Sequence, residues 1–204
     1  MERTVTMAIA VQGHPLLETV AVSCSATEGM IPQALLFKST GGVAKVELTS
    51  ANPDQVVIRY HAKVSFALPG WGVIETSGTH TIAERGNRIV LEPGAWIRHL
   101  TVQLLLDEVS CTEPLSEQKD YLVIKLVWQG VHLKTPVNQS ERFTSSAPLQ
   151  FTYIQDPQER KISAILTAFG VLYGKPMWIP ASPLNLEQSL ISILVSRNAI
   201  RLMA

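Results

Sequence analysis

A chain of 204 residues with 17 basic and 17 acidic side chains has no net charge, and its charged fraction of 17% falls below the usual quarter. Scattered cations without a basic excess disfavour a nucleic-acid binder, whose affinity rests mostly on phosphate contacts. Two distant cysteines, Cys24 and Cys111, exclude a disulfide framework and a Cys-x-x-Cys zinc site, and fit a reducing compartment.

Met1-Glu2-Arg3-Thr4 runs directly into a strand pattern with no apolar signal core. The expected location is therefore cytoplasmic, or inside a particle assembled within the cell. From Arg3 to Val11, residues Val5, Met7, Ile9 and Val11 share one face of a strand. Gly13-His14-Pro15 breaks it, and Glu18 to Ser25 alternates again. Gly29 to Ser39 is ambiguous between a short helix and an irregular strand. Gly41-Gly42 marks a turn before the alternating run Val43 to Ser50. After Asn52-Pro53-Asp54, residues 56–68 give the clearest period: Val56, Ile58, Tyr60, Ala62, Val64, Phe66 and Leu68 oppose Arg59, His61, Lys63 and Ser65.

Val73 to Ala83 is weaker β, interrupted at Gly78, and Glu84 to Asn87 reads as a hairpin connection into Arg88 to Glu92. Trp96 to Leu106 alternates. Tyr121 to Gln129 is apolar on both faces, as in a central covered strand. Cys111 to Asp120 and Lys134 to Pro148 read as polar loops, the latter as a mobile excursion. Phe151 to Ile154 forms a short strand. The pattern then turns helical. Asp156 caps, Pro157 and Glu159 suit the first turn, and Ile162, Ile165, Leu166, Phe169 and Leu172 follow at helical spacing before Gly174. Ser182 and Pro183 open a second helix striped by Leu184, Glu187, Leu190, Ile191, Leu194 and Val195, with Lys175 to Pro180 as a rigid apolar linker between the two.

The fold expected from these elements is mainly β: an antiparallel β-sandwich or partly open barrel, followed by two C-terminal helices. Residues 1–155 form the β-rich domain. Residues 156–204 form a two-helix extension, packed on it or on a neighbouring subunit. Pro69-Gly70-Trp71 and Pro93-Gly94-Ala95-Trp96 echo each other, yet two short echoes establish no internal repeat.

Chemistry-bearing residues are sparse in pattern. His14, His61, His80, His99 and His132 show no His-x-His or His-x-x-x-His spacing, so a metal site would need His61, His80 and His99 to converge through the fold. Cys24 lies on an apolar strand face, and Cys111 has no histidine neighbour to stabilise a thiolate. Asp107, Glu108, Glu113, Glu117 and Asp120 could supply a carboxylate pair only by facing across a cleft. No Gly-x-Ser-x-Gly or phosphate loop is present. The sequence therefore assigns no catalytic, cofactor-binding or metal residue, no cofactor and no enzymatic activity.

Low charge, apolar C-terminal elements and missing chemistry point to a self-associating structural subunit of a larger particle: a shell, matrix, tube or scaffold, plausibly viral. Its partners would be other copies of itself or a second structural protein of the particle. The apolar stretches near 162–173 and 190–195 are too short to span a bilayer as single helices, which leaves only peripheral membrane contact. Trp71, Trp96 and Trp178, with Leu190, Ile191, Leu194 and Val195, are the expected interface anchors. The rival readings are a ligand-binding β-module with a pocket near Trp71, Trp96 and Tyr60, an adaptor that uses the C-terminal helices, and a hydrolase assembling His61, His99 and carboxylates from distant segments.

Overall fold

The structure, a computed structural model, describes residues 3–26, 33–50, 52, 55–130, 133, 135–143, 147–155, 158 and 162–203. Its contacts group the chain into two compact units, Met1–Trp96 and Ile97–Ala204. The sequence pattern placed the division after residue 155.

The first unit contains β1 (Arg3–Gln12), β2 (Leu17–Ala26), β3 (Gln33–Lys38), β4 (Gly41–Ser50), β5 (Val57–Phe66), β6 (Val73–Thr81) and β7 (Arg88–Leu91). They form two sheets, ordered β4-β1-β7 and β3-β2-β5-β6. The two-residue period explains why. Met7, Ile9 and Val11 of β1, Val20, Val22 and Cys24 of β2, and Ile58, Ala62 and Val64 of β5 are all buried, and Ser23 and Ser25 of β2 with Arg59, His61 and Lys63 of β5 point to the other face. Two such half-apolar sheets become stable by closing on a shared core, which makes the unit a sandwich. β1 pairs antiparallel with β4 and parallel with β7, so this sheet is mixed. The expected hairpin at Glu84 to Asn87 is corrected: Ile82–Arg85 is one helical turn, and β6 and β7 on either side belong to different sheets.

The second unit contains β8 (Ile97–Leu106), β9 (Tyr121–Gly130), β10 (Val137–Phe143), β11 (Leu149–Ile154), β12 (Ile162–Leu172), β13 (Lys175–Leu184), β14 (Leu190–Val195) and β15 (Ile200–Met203). Its sheets are ordered β11-β8-β14-β15 and β10-β9-β12-β13. Among the described residues, replacing β1 through β7 by β8 through β14 reproduces every pairing and its sense, including the parallel pair, now β8 with β14. The chain thus repeats one seven-stranded plan and adds β15. The repeat escaped the sequence because it resides in wiring and inward faces, not in shared residues. Among the described residues, none of the four sheets closes into a barrel.

The two C-terminal helices are corrected to strands. In β12 the inward residues are Ile162, Ala164, Leu166 and Ala168, at a period of two. Alanines at two of these positions let the larger Ile165 and Phe169 suggest a helical stripe. The proposed cap at Asp156, Pro157 and Glu159 lies outside the described residues. The second helix resolves into the end of β13 and all of β14, whose Ile191, Ile193 and Val195 are buried. The supposed rigid linker is the start of β13. That strand lies at a sheet edge, where Pro176, Pro180 and Pro183 cost no ladder bond and discourage further pairing. Cutting the chain after Gly174 would therefore strip strands from both sheets of the unit rather than release an appendage.

The expected loop at Lys134 to Pro148 is corrected in its middle. Val137–Phe143 is β10, paired along its length with β9. Its alternation is hidden because the two positions between Val137 and Phe143 on the same face hold Gln139 and Glu141 instead of apolar residues. The Gln139 amide accepts the Trp128 indole N–H at 2.8 Å and donates to the Thr152 carbonyl at 2.8 Å.

Candidate ligand-binding site

A cavity of about 390 Å³ lies on the first unit, lined by three consecutive cross-strand rows of β2, β5 and β6. The rows are Ser23–His61–Ser77, Cys24–Tyr60–Gly78 and Ser25–Arg59–Thr79. Strand alternation places the first and third rows on the outward face of the sheet, so hydroxyls, an imidazole and a guanidinium stand together there. The middle row closes tightly. A Cβ at Gly78 would come within 2.5 Å of the Tyr60 hydroxyl and 2.6 Å of Cζ, so the ring lies across the glycine. The interruption of the β6 pattern at Gly78 is therefore the space that Tyr60 uses.

Along the outward face of β5, the basic side chains are not equivalent. Lys63 Nζ lies 3.0 Å from Glu75 Oε1, and His61 Nε2 lies 3.3 Å from Glu75 Oε2. The Lys63 hydrogen bond and charge, with a smaller contribution from His61, hold the Glu75 carboxyl below its ordinary range. Arg59, two residues before His61, shares no such carboxylate among the described residues.

The histidines do not gather into a metal site. His61 faces outward, whereas His80 is buried on the opposite face with Nε2 2.7 Å from the Gly86 carbonyl. His99 belongs to the second unit and meets Thr152 Oγ1 at 3.1 Å. His14 Nδ1 accepts the Leu16 N–H at 3.1 Å within a turn, and His132 lies outside the described residues. Among the described residues, no three His, Cys, Asp or Glu side chains could share a metal ion.

The acidic segment organises a loop. Asp107 accepts the Ser110 hydroxyl at 2.8 Å and the Val109 N–H at 3.3 Å. Buried Asp120 accepts the backbone N–H groups of Ser116 at 2.7 Å and Tyr173 at 2.6 Å. Glu108, Glu113 and Glu117 are exposed. Cys111 Sγ donates to the Val195 carbonyl at 3.4 Å. Burial pushes the Cys24 thiol up to about 11, far from a reactive thiolate.

The expected interface anchors occupy contrasting environments. Trp71 is 2% exposed, and Trp96 packs against Phe66 with ring centroids 6.3 Å apart. Ile191 and Val195 are core residues, Leu194 is half-buried, and Leu190 is exposed. Trp178 is 71% exposed on the outward face of β13, directly opposite Phe169, which is 52% exposed. Val123 continues that row, and beside it Arg142 stands 4.4 Å over the Tyr121 ring. The sequence names Trp178 as an anchor but does not separate it from Trp71, because exposure depends on which face of the sandwich each side chain occupies. The cavity residues were visible as the polar face of residues 56–68, but their partners in β2 and β6 become neighbours only through sheet pairing.

No family model matches the chain, and no curated protein matches its sequence. Among solved structures, it is similar to a candidate adhesin of Bacteroides ovatus, with 10% identity and a TM-score of 0.42 over 91% of this chain and 84% of that one. It is also similar to a candidate polysaccharide-binding protein of Bacteroides thetaiotaomicron, with 11% identity and a TM-score of 0.42 over 97% and 98% of the two chains. A candidate adhesin of the latter organism shares 9% identity and a TM-score of 0.40 over 92% and 89%.

The reading as a self-associating shell, matrix, tube or scaffold subunit, viral or otherwise, is corrected. It relied on two apolar helices offered to neighbours. Those segments are strands whose Ile191, Ile193 and Val195 fill the unit's own core. No helix among the described residues is long and apolar enough to cross a membrane, which says nothing of a β-barrel.

Proposed function

We propose that this chain is a non-enzymatic ligand-binding β-module that takes a hydroxyl-rich ligand of the saccharide class in the cavity of the first unit. The observation that carries this reading is the pair of outward rows Ser23–His61–Ser77 and Ser25–Arg59–Thr79 around one concavity. Short hydroxyl side chains both donate and accept, as sugar hydroxyls do, and they rest on paired strands that hold their spacing. Glu75 engages His61, and among the described residues no nucleophile pairs with it, so the arrangement suits recognition rather than group transfer.

Calorimetry and amide-shift mapping against a panel of oligosaccharides test this. Ser77 is exposed, so Ser77→Trp fills the concavity without touching the core. Binding should be lost in that variant while its melting temperature stays unchanged. Saccharide binding that survives the substitution, or cleavage of the ligand on incubation, would refute the proposal.

A second reading concerns Trp178. We infer that the exposed Trp178–Phe169 pair contacts a protein partner, because aromatic side chains on a rigid strand lose little entropy on docking. Trp178→Ala should weaken such an association without altering saccharide binding at the first unit.

A further inference from the structure

The charge balance along β5 distinguishes ligands within the saccharide class. We propose that the cavity selects an acidic saccharide, with a carboxylate set against Arg59 and ring hydroxyls set against the flanking serines and threonine. This rests on the binding reading above and narrows it.

Three basic side chains follow one another on the outward face of β5: Arg59, His61 and Lys63. Glu75 takes both His61, at 3.3 Å, and Lys63, at 3.0 Å. Arg59 is left with neither an ion pair nor a side-chain hydrogen bond among the described residues. Its neighbours across the sheet are Ser25 on one side and Thr79 on the other. Neither brings a negative charge. A guanidinium offers five donors and no acceptor in a planar fork, which matches the two oxygens of a carboxylate. The hydroxyl neighbours can serve the rest of a sugar ring but cannot supply the charge that Arg59 lacks. A neutral sugar would leave the fork without an anionic partner. A simple anion would leave the hydroxyl rows unused.

The probes are a di-uronide, its methyl ester and acetate. The ester keeps the ring and removes only the charge. The di-uronide should bind about tenfold or more tightly than the ester, since a hydrogen bond to a charged group outweighs a neutral one. The preference should shrink as salt is raised. Arg59→Gln should erase it while leaving the ester's weak binding in place. Arg59→Lys should retain part of it. Glu75→Gln releases His61 and Lys63 from their carboxylate and should strengthen di-uronide binding. Amide shifts should move at Ser25, Ser77 and Thr79.

Equal binding of acid and ester, unchanged in Arg59→Gln, would overturn the acidic assignment and leave the saccharide site standing. Acetate binding as well as the di-uronide would overturn the saccharide part and leave an anion site. Failure of every sugar, charged or neutral, would sink the underlying function as well.

Discussion

The Trp128 indole stacks on the Tyr153 ring, with centroids 4.6 Å apart and planes inclined by 18°. Trp128 belongs to β9 and Tyr153 to β11, so the contact joins the two sheets of the second unit. Gln139 of β10 reinforces it, bridging the Trp128 N–H to the Thr152 carbonyl. One aromatic pair and one amide thus tie three strands across the sandwich. Gln139→Leu should cost about 1–3 kcal/mol, the usual penalty for a buried carbonyl deprived of its donor. Trp128→Ala should cost about 3–5 kcal/mol through the cavity it leaves. Urea unfolding curves of the two variants would measure both, and a Gln139→Leu protein as stable as the parent would show that the bridge is idle.

Gly170 of β12 lies against the backbone of β9. A Cβ there would come within 2.8 Å of Leu122 Cα and closer still to the Tyr121 carbonyl. Backbone cannot swing aside as a side-chain tip can, so Gly170→Ala must part the two central strands of the sheet. A loss of about 3 kcal/mol or more is expected, within the range reserved for core disruptions. Thermal unfolding checks it. Gly78→Ala meets the Tyr60 side chain first, which can move, and should cost less in stability.

The two cysteines should differ in reactivity. Cys24 is buried and its thiol is pushed up to about 11, whereas Cys111 is partly exposed. A disulfide reagent at neutral pH should label Cys111 alone and reach Cys24 only after denaturation. Equal labelling of the native protein would mean that the first unit opens locally.

Stability should fall in alkali. Cys24 is raised from about 9 to about 11 by burial. Tyr173 is raised to about 12, chiefly by burial and then by the neighbouring Cys111 thiol. Both groups hold their proton in the folded state after the unfolded chain has released it. Their contribution is therefore complete below the unfolded values and is lost as pH climbs through the folded ones. The decline should begin near pH 9 and continue toward 12, and Cys24→Ala with Tyr173→Phe should flatten it. Denaturation midpoints across that range would show the change in slope.

Buried Asp120 pins the turn at Tyr173, whose φ of 51° lies in the left-handed region unusual for a side-chain-bearing residue. Asp120→Ala removes the acceptor for both Ser116 N–H and Tyr173 N–H, and should cost about 2–4 kcal/mol as charge-assisted bonds are lost. Tyr173→Gly should partly offset that loss in the double variant by relieving the backbone.

The local sequence was sufficient wherever a strand had one wet and one apolar face. β1, β2, β4, β5 and β8 were legible because a period of two has no other common source. It misled where inward positions departed from large apolar residues. Gln139 concealed β10, and Ala164 with Ala168 turned β12 into an apparent helix. Runs that are apolar on both faces, such as Leu190–Val195, satisfy either period, and only their pairing with β8 chose the strand.

By itself, then, the amino-acid order determined the pleated character of the chain and the polar face of β5 on which Arg59, His61 and Lys63 stand. Tertiary structure decided the rest: the doubled seven-strand wiring, the edge position that makes three prolines tolerable in β13, and the meeting of Ser25, Arg59 and Thr79 from three strands. The physical reason is range. Alternation is written between neighbours in the chain, whereas register, edges and cross-strand rows are set by hydrogen bonds between residues far apart in sequence.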